Sequence, residues 1–231
     1  MNKERLKEII IGIIAILFYF LLNELEFFPF KVAGVDINNT PNWIKIIYLI
    51  IYEIMVIAIM LIIFNKKIIK DFKDILINHK NYYSKYFKYY LIGLGVMLIS
   101  NCIIIFGFNN NMATNEESIR QLFKISPFYI YFSSVLYAPL VEELTFRQGI
   151  RNVIGKNIIF ILTSGLVFGG LHVITSATTL IDYLYIIPYS SLGIVFAYIL
   201  YKTDNIFVSM GYHFMHNGIL IAIQFITLLF S

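Results

Sequence analysis

The chain has 231 residues, of which 59% are hydrophobic and 14% are charged, and its mean hydropathy is +0.76. A soluble domain carries roughly 45–50% apolar and about 25% charged residues, so this composition excludes an ordinary soluble protein and indicates a multi-pass membrane protein. The single cysteine, Cys102, excludes an internal disulfide and a cysteine-based metal cluster. The net charge of +4 is better explained by membrane topology than by a nucleic-acid partner, which we do not expect.

Long apolar runs predict an all-α fold, a polytopic bundle of about seven transmembrane helices. Backbone groups in lipid must be satisfied internally, and a span needs about 20 residues. The predicted spans cover, in chain order, residues 9–22, 43–64, 89–108, 127–153, 157–173, 183–201 and 206–230. Residues 1–126 are expected to form an N-terminal part with three spans, and residues 127–231 a core of four spans.

Several features mark the borders of these spans. The first run has no small-residue cleavage site after it and is therefore interpreted as a retained span, not as a signal peptide. Pro127 is suited to the first turn of the fourth helix, and Gly155 to its end. Residues 109–117 are expected to form a polar loop and residues 118–124 a short surface helix. Glu53, inside the second span, is expected to make a polar contact between helices.

Residues 65–88 differ from the rest because they hold seven lysines among Ile, Phe and Tyr. Between two spans, such a segment is expected to lie along an anionic membrane surface. If the N-terminus is inside, the inner segments hold fourteen Lys and Arg residues and the outer segments four. This asymmetry predicts a cytoplasmic N-terminus.

Polar side chains with catalytic potential lie in the last four predicted spans. An ionisable residue at membrane depth costs a few kcal/mol, so it needs a partner or a function. The candidates are Glu142, Glu143, Arg147, His172, His213 and Asn217.

The spacing of four of these residues predicts that they converge. Glu142 stands fifteen residues before Asn157, where helices four and five are joined, and His172 stands fifteen after it. In antiparallel helices with ~1.5 Å rise per residue, equal offsets mean equal depth, roughly 22 Å from the turn. His213 and Asn217 share a helix face at i and i+4, roughly 15–21 Å from the preceding turn. Because these depths are counted from inner turns, entry of water and peptide from the cytoplasmic side is expected.

Each candidate also has a purely structural interpretation. Glu143 and Arg147 are four residues apart, so an ion pair is expected, which leaves Glu142 as the catalytic candidate. A lone histidine in an apolar helix is usually a packing residue, but two histidines and a glutamate at matching depth favour a site. His216 either supports this site or only lines its cavity.

Two chemical schemes fit these side chains, and both hydrolyse an amide bond. Glu142, His172 and His213 are suitable ligands for one divalent ion, zinc in the first place, with an open position for water. Without metal, the carboxylate acts as a general base with a histidine, while His213 and Asn217 donate hydrogen bonds to an oxyanion. The sequence does not decide between the two.

Three motifs in this order resemble a known family. They are E-E-x-x-x-R (Glu142, Glu143, Arg147), F-x-x-x-H (Phe168 to His172) and H-x-x-x-N (His213 to Asn217). Together they resemble the CPBP family, the CAAX proteases and bacteriocin-processing enzymes that are also called Abi proteins and are related to CAAX prenyl protease 2. The resemblance covers roughly residues 127–220.

The resemblance implies an intramembrane endopeptidase whose catalytic core is all-helical. It assigns the activation of water to Glu142 and His172, and the oxyanion or metal-binding role to His213 and Asn217, with the expected ion pair in support. In eukaryotic relatives the substrate is a prenylated C-terminal tail. The high content of Ile, Asn, Lys and Tyr is typical of a bacterial protein from an AT-rich genome, so the bacterial cytoplasmic membrane is expected. The implied substrate is then a small peptide or membrane-protein segment, in peptide maturation, bacteriocin self-immunity or signalling.

Two other functions compete with a peptidase. A non-proteolytic scaffold would bind a partner membrane protein, such as a sensor kinase, but would not need Glu142 in lipid. A proton or metal-ion carrier would show polar residues along the full membrane depth, whereas here they cluster in one layer.

Overall fold

The computed structural model describes residues 2–108 and 111–230, and these form a helical membrane protein. The structure is 87% helical, and the described residues contain no strand, which confirms the all-α prediction. The α-helices are, in chain order, α1 (Lys3–Leu25), α2 (Phe28–Val32), α3 (Asn42–Ile63), α4 (Asn65–Cys102), α5 (Thr114–Ile125), α6 (Pro127–Tyr131), α7 (Ala138–Glu142), α8 (Ile150–Ile154), α9 (Ile158–Val173), α10 (Ile186–Thr203) and α11 (Ile206–Leu229).

Five helical segments among the described residues are long and apolar enough to cross a membrane, so the chain is a multi-pass membrane protein. They are Lys3–Leu25, Asn42–Ile63, Asn65–Gly107, Asp182–Thr203 and Ile206–Leu229. The fifth predicted span, residues 157–173, corresponds to α9, which has 16 residues. This is fewer than the about 20 residues that a straight span needs. The count of about seven spans therefore stays a prediction.

The predicted fourth helix is one helical path that alternates between α and π geometry. Between α6 and α7 lies the π-helical stretch Phe132–Tyr137, and between α7 and α8 lies Glu143–Gly149. Pro139 accounts for the first stretch because proline lacks an N–H and its ring clashes with the carbonyl four residues earlier. The path ends at Gly155, whose φ of 97° is a backbone angle that glycine adopts without strain, as predicted.

The basic segment 65–88 is not a separate surface element, which corrects the expected layout. It is the first part of α4, and the same helix runs on without a break through the predicted third span. Residues 65–92 contain no glycine or proline, so nothing in the sequence interrupts the helix. Contact of this segment with an anionic membrane surface stays a prediction.

The expected polar loop and surface helix also need a correction. Helix α5 begins at Thr114, four residues before the predicted start at Ser118. Glu116 and Glu117 lie in its first turn, where carboxylates stabilise the helix dipole. The loop prediction also covers Asn109 and Asn110, which lie outside the described residues.

Two glycines allow close packing between helices, Gly169 between α9 and α10 and Gly211 between α11 and α4. A Cβ on Gly169 would overlap Ser190 of α10, and one on Gly211 would overlap the Tyr83 ring of α4. Gly169 and Gly211 thus allow neighbouring helices to approach closely. At Gly170 the nearest atom would be 3.2 Å away on Ile174 of the same chain segment, so no neighbouring helix approaches there.

The N-terminal helices pack directly on the last four predicted spans. Arg5 of α1 donates a hydrogen bond to the Val153 carbonyl at 3.0 Å, and the Tyr19 ring contacts Phe146 with centroids 4.8 Å apart. Glu53 of α3 accepts hydrogen bonds from Tyr129 at 3.1 Å and from Ser133 at 2.7 Å, which confirms its predicted contact between helices. The division of the chain near residue 126 stays a prediction.

A polar cluster joins three helix ends at the short connection between α10 and α11. Asp204, in the left-handed conformation at φ 55°, pairs with Arg151 of α8 and lies 3.5 Å from Lys67 Nζ of α4. Asp71 of α4 accepts a hydrogen bond from the Ile206 N–H at 2.8 Å and so caps α11 from a neighbouring helix. The cluster fixes the level at which α11 enters the bundle.

The pKa of Asp204 predicts a pH-dependent stability. Partial burial acts to raise this pKa, but the hydrogen bond from Arg151 and the charge of Lys67 outweigh it and hold the pKa below its usual range. The stabilising charge is therefore present above about pH 4, the ordinary Asp pKa, and is lost as the pH falls through the lowered value. We expect Asp204→Asn, which tolerates the left-handed backbone, to lower the thermal midpoint at pH 7 and to lower it less at pH 3.

The measurement is thermal unfolding of the detergent-purified protein at several pH values, with the exposed Glu24→Gln as the control variant. A difference between wild type and Asp204→Asn that stayed constant down to pH 3 would contradict this explanation.

Candidate functional site

The centre of the site is an ion pair that is completely buried. Arg147 Nη2 lies 3.2 Å from Glu143 Oε1, and both side chains are 0% exposed. This is the ion pair that the i, i+4 spacing predicted. Because an unpaired charge in an apolar interior is very costly, each of the two residues requires the other.

Two aromatic rings complete the environment of the arginine. Its guanidinium carbon lies 4.2 Å from the centre of the Phe168 ring and 5.8 Å from that of Phe196. Arg147 Nε and Nη1 have no hydrogen-bond acceptor among the described residues. The faces of the two rings stabilise the positive charge where acceptors are missing.

His213 lies between the two adjacent glutamates. Its Nδ1 is 3.0 Å from Glu143 Oε1, and its Nε2 is 3.7 Å from Glu142 Oε2. The first contact is a hydrogen bond to a carboxylate, which indicates a proton on Nδ1. The second separation is longer than a hydrogen bond, so the Glu142 carboxylate keeps lone pairs for a molecule in front of it.

His172 is held in a defined orientation by its own helix and by α10. Its Nδ1 lies 2.9 Å from the Phe168 carbonyl, and its ring stacks on Tyr189 with centroids 4.8 Å apart at 25°. A carbonyl only accepts hydrogen bonds, so Nδ1 carries the proton and Nε2 presents a lone pair. A histidine in this tautomer can accept a proton or bind a cation through Nε2.

Glu142 and His172, from different helices, line the same cavity of about 300 Å³. The structure thus brings together the two residues to which the family resemblance assigns the activation of water, and that role stays a prediction. The cavity is lined by Tyr19, Thr114, Asn115, Ser118, Glu142, Phe146, Leu171, His172, Thr175 and Ser176. His213 does not belong to this lining, although its Nε2 lies 3.7 Å from the Glu142 carboxylate.

Asn217 and His216 lie further along α11, away from the cavity lining. The Asn217 amide donates a hydrogen bond to the Ser134 carbonyl in the first π-helical stretch, at 2.7 Å. His216 is buried, and its Nδ1 lies 3.3 Å from the Tyr90 hydroxyl of α4. Asn217 has a second amide hydrogen, but its described hydrogen bond connects two helices.

Sequence reasoning did not find three residues that contact this site. Tyr189 stacks on His172, Ser134 binds Asn217, and Tyr19 of α1 lines the cavity. Aromatic and hydroxyl residues are frequent throughout this chain, so no spacing in the sequence marks these three. Their roles follow only from how the helices pack.

The predicted metal ligands do not form a compact ligand group. Among the described residues, no three His, Cys, Asp or Glu side chains are arranged to hold a metal ion. Glu142 and His213 are neighbours, and His172 faces the same cavity as Glu142, but one ion does not have all three within reach without movement. Zinc at this site therefore stays a prediction.

Comparison with known proteins supports the family resemblance. Residues 124–219 match the family described as type II CAAX prenyl endopeptidase Rce1-like. These residues include all three motifs, and the match confirms that this region is similar to CPBP-family membrane proteases. No solved structure matches the chain at a significant level.

Curated relatives are bacterial. The UPF0177 protein YvdC of Lactococcus lactis is 30% identical over 149 residues, which are 60% of this chain and 55% of that protein. The "Putative membrane peptidase YdiL" of Bacillus subtilis is 26% identical over 123 residues, 52% of this chain and 46% of that protein. The chain thus spans about half the length of the curated relatives it matches.

The buried ion pair makes a prediction about stability. We expect Arg147→Met to lower the free energy of unfolding by about 3–5 kcal/mol, because it leaves the Glu143 carboxylate buried without its partner. Arg147→Lys keeps the charge but loses the planar contact with Phe168, so an intermediate loss is expected. The double variant Glu143→Gln/Arg147→Met removes both charges and should be more stable than Arg147→Met.

Thermal unfolding in detergent of wild type, Glu143→Gln, Arg147→Met and the double variant forms a double-mutant cycle, and Arg147→Lys is measured beside it. Purely additive losses in the double variant would show that the two charges do not depend on each other.

Proposed function

We propose that this chain, which resembles CPBP-family membrane proteases over residues 124–219, is an intramembrane endopeptidase of the bacterial cytoplasmic membrane. Its substrate is a small peptide or a segment of a membrane protein. Water that enters the cavity is activated by Glu142 and His172 and attacks a peptide carbonyl.

The observation that carries this proposal is the shared cavity. Glu142 and His172 come from helices that are separated by a turn, yet both line one space that is large enough for water and a peptide bond. Glu142 is 14% exposed there, while Glu143 is fully buried against Arg147. The two adjacent carboxylates therefore have different tasks: Glu143 stabilises the fold and Glu142 contacts the reactants.

The proposed reaction has two steps, addition of water to the peptide carbonyl and cleavage of the C–N bond, and a proton is transferred in each. Water gives one proton to the Glu142 carboxylate or to the Nε2 lone pair of His172, and its oxygen forms a bond to the substrate carbonyl carbon. The carbonyl oxygen becomes a tetrahedral oxyanion. When the C–N bond breaks, the proton moves to the leaving amine, and a carboxylic acid and an amine are released.

The oxyanion needs hydrogen-bond donors that are in place before the reaction. His213 can donate from Nε2 only when its ring is charged, because Nδ1 already donates to Glu143. The ion pair around Glu143 also orients this ring. Asn217 can contribute its second amide hydrogen if the substrate reaches α11, since the first one is bonded to Ser134.

A divalent ion, if the enzyme uses one, would be held by Glu142, His172 and His213. Such an ion would polarise the peptide carbonyl and acidify a bound water. Among the described residues these side chains do not form a three-ligand group, so binding of an ion would require them to move. Removal of metal by a chelator tests this part separately.

The first test compares Glu142 with a glutamate that lies elsewhere in the helix bundle. We expect Glu142→Gln to lower kcat/KM for a cleaved peptide by roughly 10²–10⁴-fold, because the amide cannot accept the proton of water. Glu53→Gln is the matched control, since Glu53 is a buried glutamate of α3 whose described hydrogen bonds come from Tyr129 and Ser133, away from the cavity lining. Cleavage of a peptide library by detergent-purified protein, analysed by mass spectrometry, gives the rates.

Chelation separates the two chemical schemes. Cleavage that is lost both in Glu142→Gln and with a chelator indicates a metallopeptidase, and cleavage lost only in the variant indicates the glutamate and histidine mechanism. Cleavage that Glu142→Gln performs as fast as wild type would refute the role of this residue.

A scaffold is distinguished in cells. If Glu142→Ala accumulates in the membrane and restores the phenotype of a deletion strain as well as wild type does, the protein acts through binding to a partner and not through proteolysis.

A further inference from the structure

The wall of the catalytic cavity has two chemically different parts. One part holds Glu142 and His172 together with apolar Phe146 and Leu171. The remaining wall consists mainly of neutral hydroxyl and amide side chains. These are Thr114, Asn115 and Ser118 of α5, and Thr175 and Ser176 after the end of α9.

These polar residues place the mouth of the cavity at a known end of the bundle. Helix α9 begins at Ile158, beside the connection 155–157, and extends for 16 residues, or about 24 Å at ~1.5 Å per residue. Thr175 and Ser176 follow its far end. The mouth therefore lies opposite the basic connections at 155–157 and 202–205, and it opens beside α5.

A second, shallow pocket extends the same cleft along the chain. It shares Thr114, His172 and Ser176 with the main cavity and continues to Asp182 and Tyr185. This second pocket has a volume of only about 10 Å³, so what it adds is the direction in which the cleft continues, from His172 toward Asp182 and Tyr185.

Helix α5 is joined to the catalytic histidine through α10. The Asn115 amide donates a hydrogen bond to the Tyr189 hydroxyl at 3.4 Å, and the Tyr189 ring stacks on His172. The polar face of α5 thus lies directly over the candidate site. Occupation of the cleft would place a ligand in contact with α5 and with His172 together.

We propose that the substrate enters through this cleft between α5 and the end of α9, and that the neutral polar side chains of the cleft bind the main chain of an unmodified peptide. This rests on the proposed peptidase function. Hydroxyl and amide groups both donate and accept, so they suit the alternating N–H and C=O groups of an extended chain. The Ser118 and Ser176 hydroxyls already donate to backbone carbonyls of their own chain segment, so their free lone pairs can accept from peptide N–H groups. A prenyl chain has no N–H to offer and would displace water from these lone pairs without replacing it, which is costly. Under the predicted orientation the mouth lies on the outer face, in contrast to the expected cytoplasmic entry.

Cysteine variants test the route without any need for a substrate. In a Cys102→Ser background, Ser118→Cys places a thiol at the mouth, and Lys156→Cys, which is also exposed, places one at the opposite end. After each thiol has reacted with a bulky maleimide, diethyl pyrocarbonate is added, and its reaction with His172 is followed by mass spectrometry. We expect the maleimide at Ser118→Cys to slow this reaction several-fold and the one at Lys156→Cys to leave it unchanged. The reverse pattern, or equal rates in both variants, would overturn the proposed route.

This result does not depend on catalysis, so it is distinguishable from failure of the proposed function. A wild-type protein that cleaves no peptide refutes the peptidase, while the access of the reagent to His172 still decides the route. Where cleavage is found, Thr175→Val and Ser118→Ala should raise KM and leave kcat nearly unchanged. Preference for farnesylated over unmodified peptides would overturn the proposed class of substrate.

The same two variants report which face of the membrane the mouth occupies. In intact cells, a membrane-impermeant maleimide should label Ser118→Cys and spare Lys156→Cys. Labelling of Lys156→Cys alone would overturn the outer-face position and the predicted orientation of the N-terminus.

Discussion

The structure depends on one interaction above all, the ion pair of Glu143 and Arg147 inside an apolar bundle. Both side chains are fully buried, so neither can recover hydration, and each must find compensation within the protein. His213 supplies a hydrogen bond to the carboxylate, and Phe168 supplies a ring face to the guanidinium. These residues belong to α9 and α11. Their contacts hold both helices against the π-helical stretch Glu143–Gly149, which carries the ion pair. A local requirement for charge compensation thus determines the relative position of three helices.

This arrangement explains how two adjacent carboxylates acquire different chemistry. The π-helical stretch that begins at Glu143 turns the following residues inward, where all seven are buried. Glu142, the last residue of α7, stays at the boundary of the cavity and is partly exposed. π-Helical turns are rare and often lie at functional sites, because the widened turn changes the direction of one side chain relative to the next. Two consecutive glutamates therefore provide one structural group and one group that can react.

The sequence predicted the helical class, most helix borders and the partners at the centre of the site. The depth argument for Glu142 and His172 worked because α8 and α9 are joined by a tight turn, so equal offsets correspond to equal height. The spacing did not predict the contact of Asn217. An i, i+4 relation to His213 predicts a shared helix face, but it does not predict the hydrogen bond to the Ser134 carbonyl on another helix. The second π-helical stretch, Glu143–Gly149, contains no proline, so no residue type in the sequence indicates it. The continuity of α4 could have been read from its lack of glycine and proline, but the change in charge suggested a boundary.

The helices outside the family motifs are what give this site its boundaries. Tyr19 of α1 lines the cavity, and α5 supplies three of its polar side chains. Tyr90 of α4 contacts His216 of α11 from the other side of the bundle. The motifs define which groups can react, but the surface that a substrate meets is built mainly from residues before 126 and after 173. Under the proposed function, two chains with identical motifs can therefore select different peptides, because selection would depend on side chains such as those of α5 that no catalytic requirement constrains.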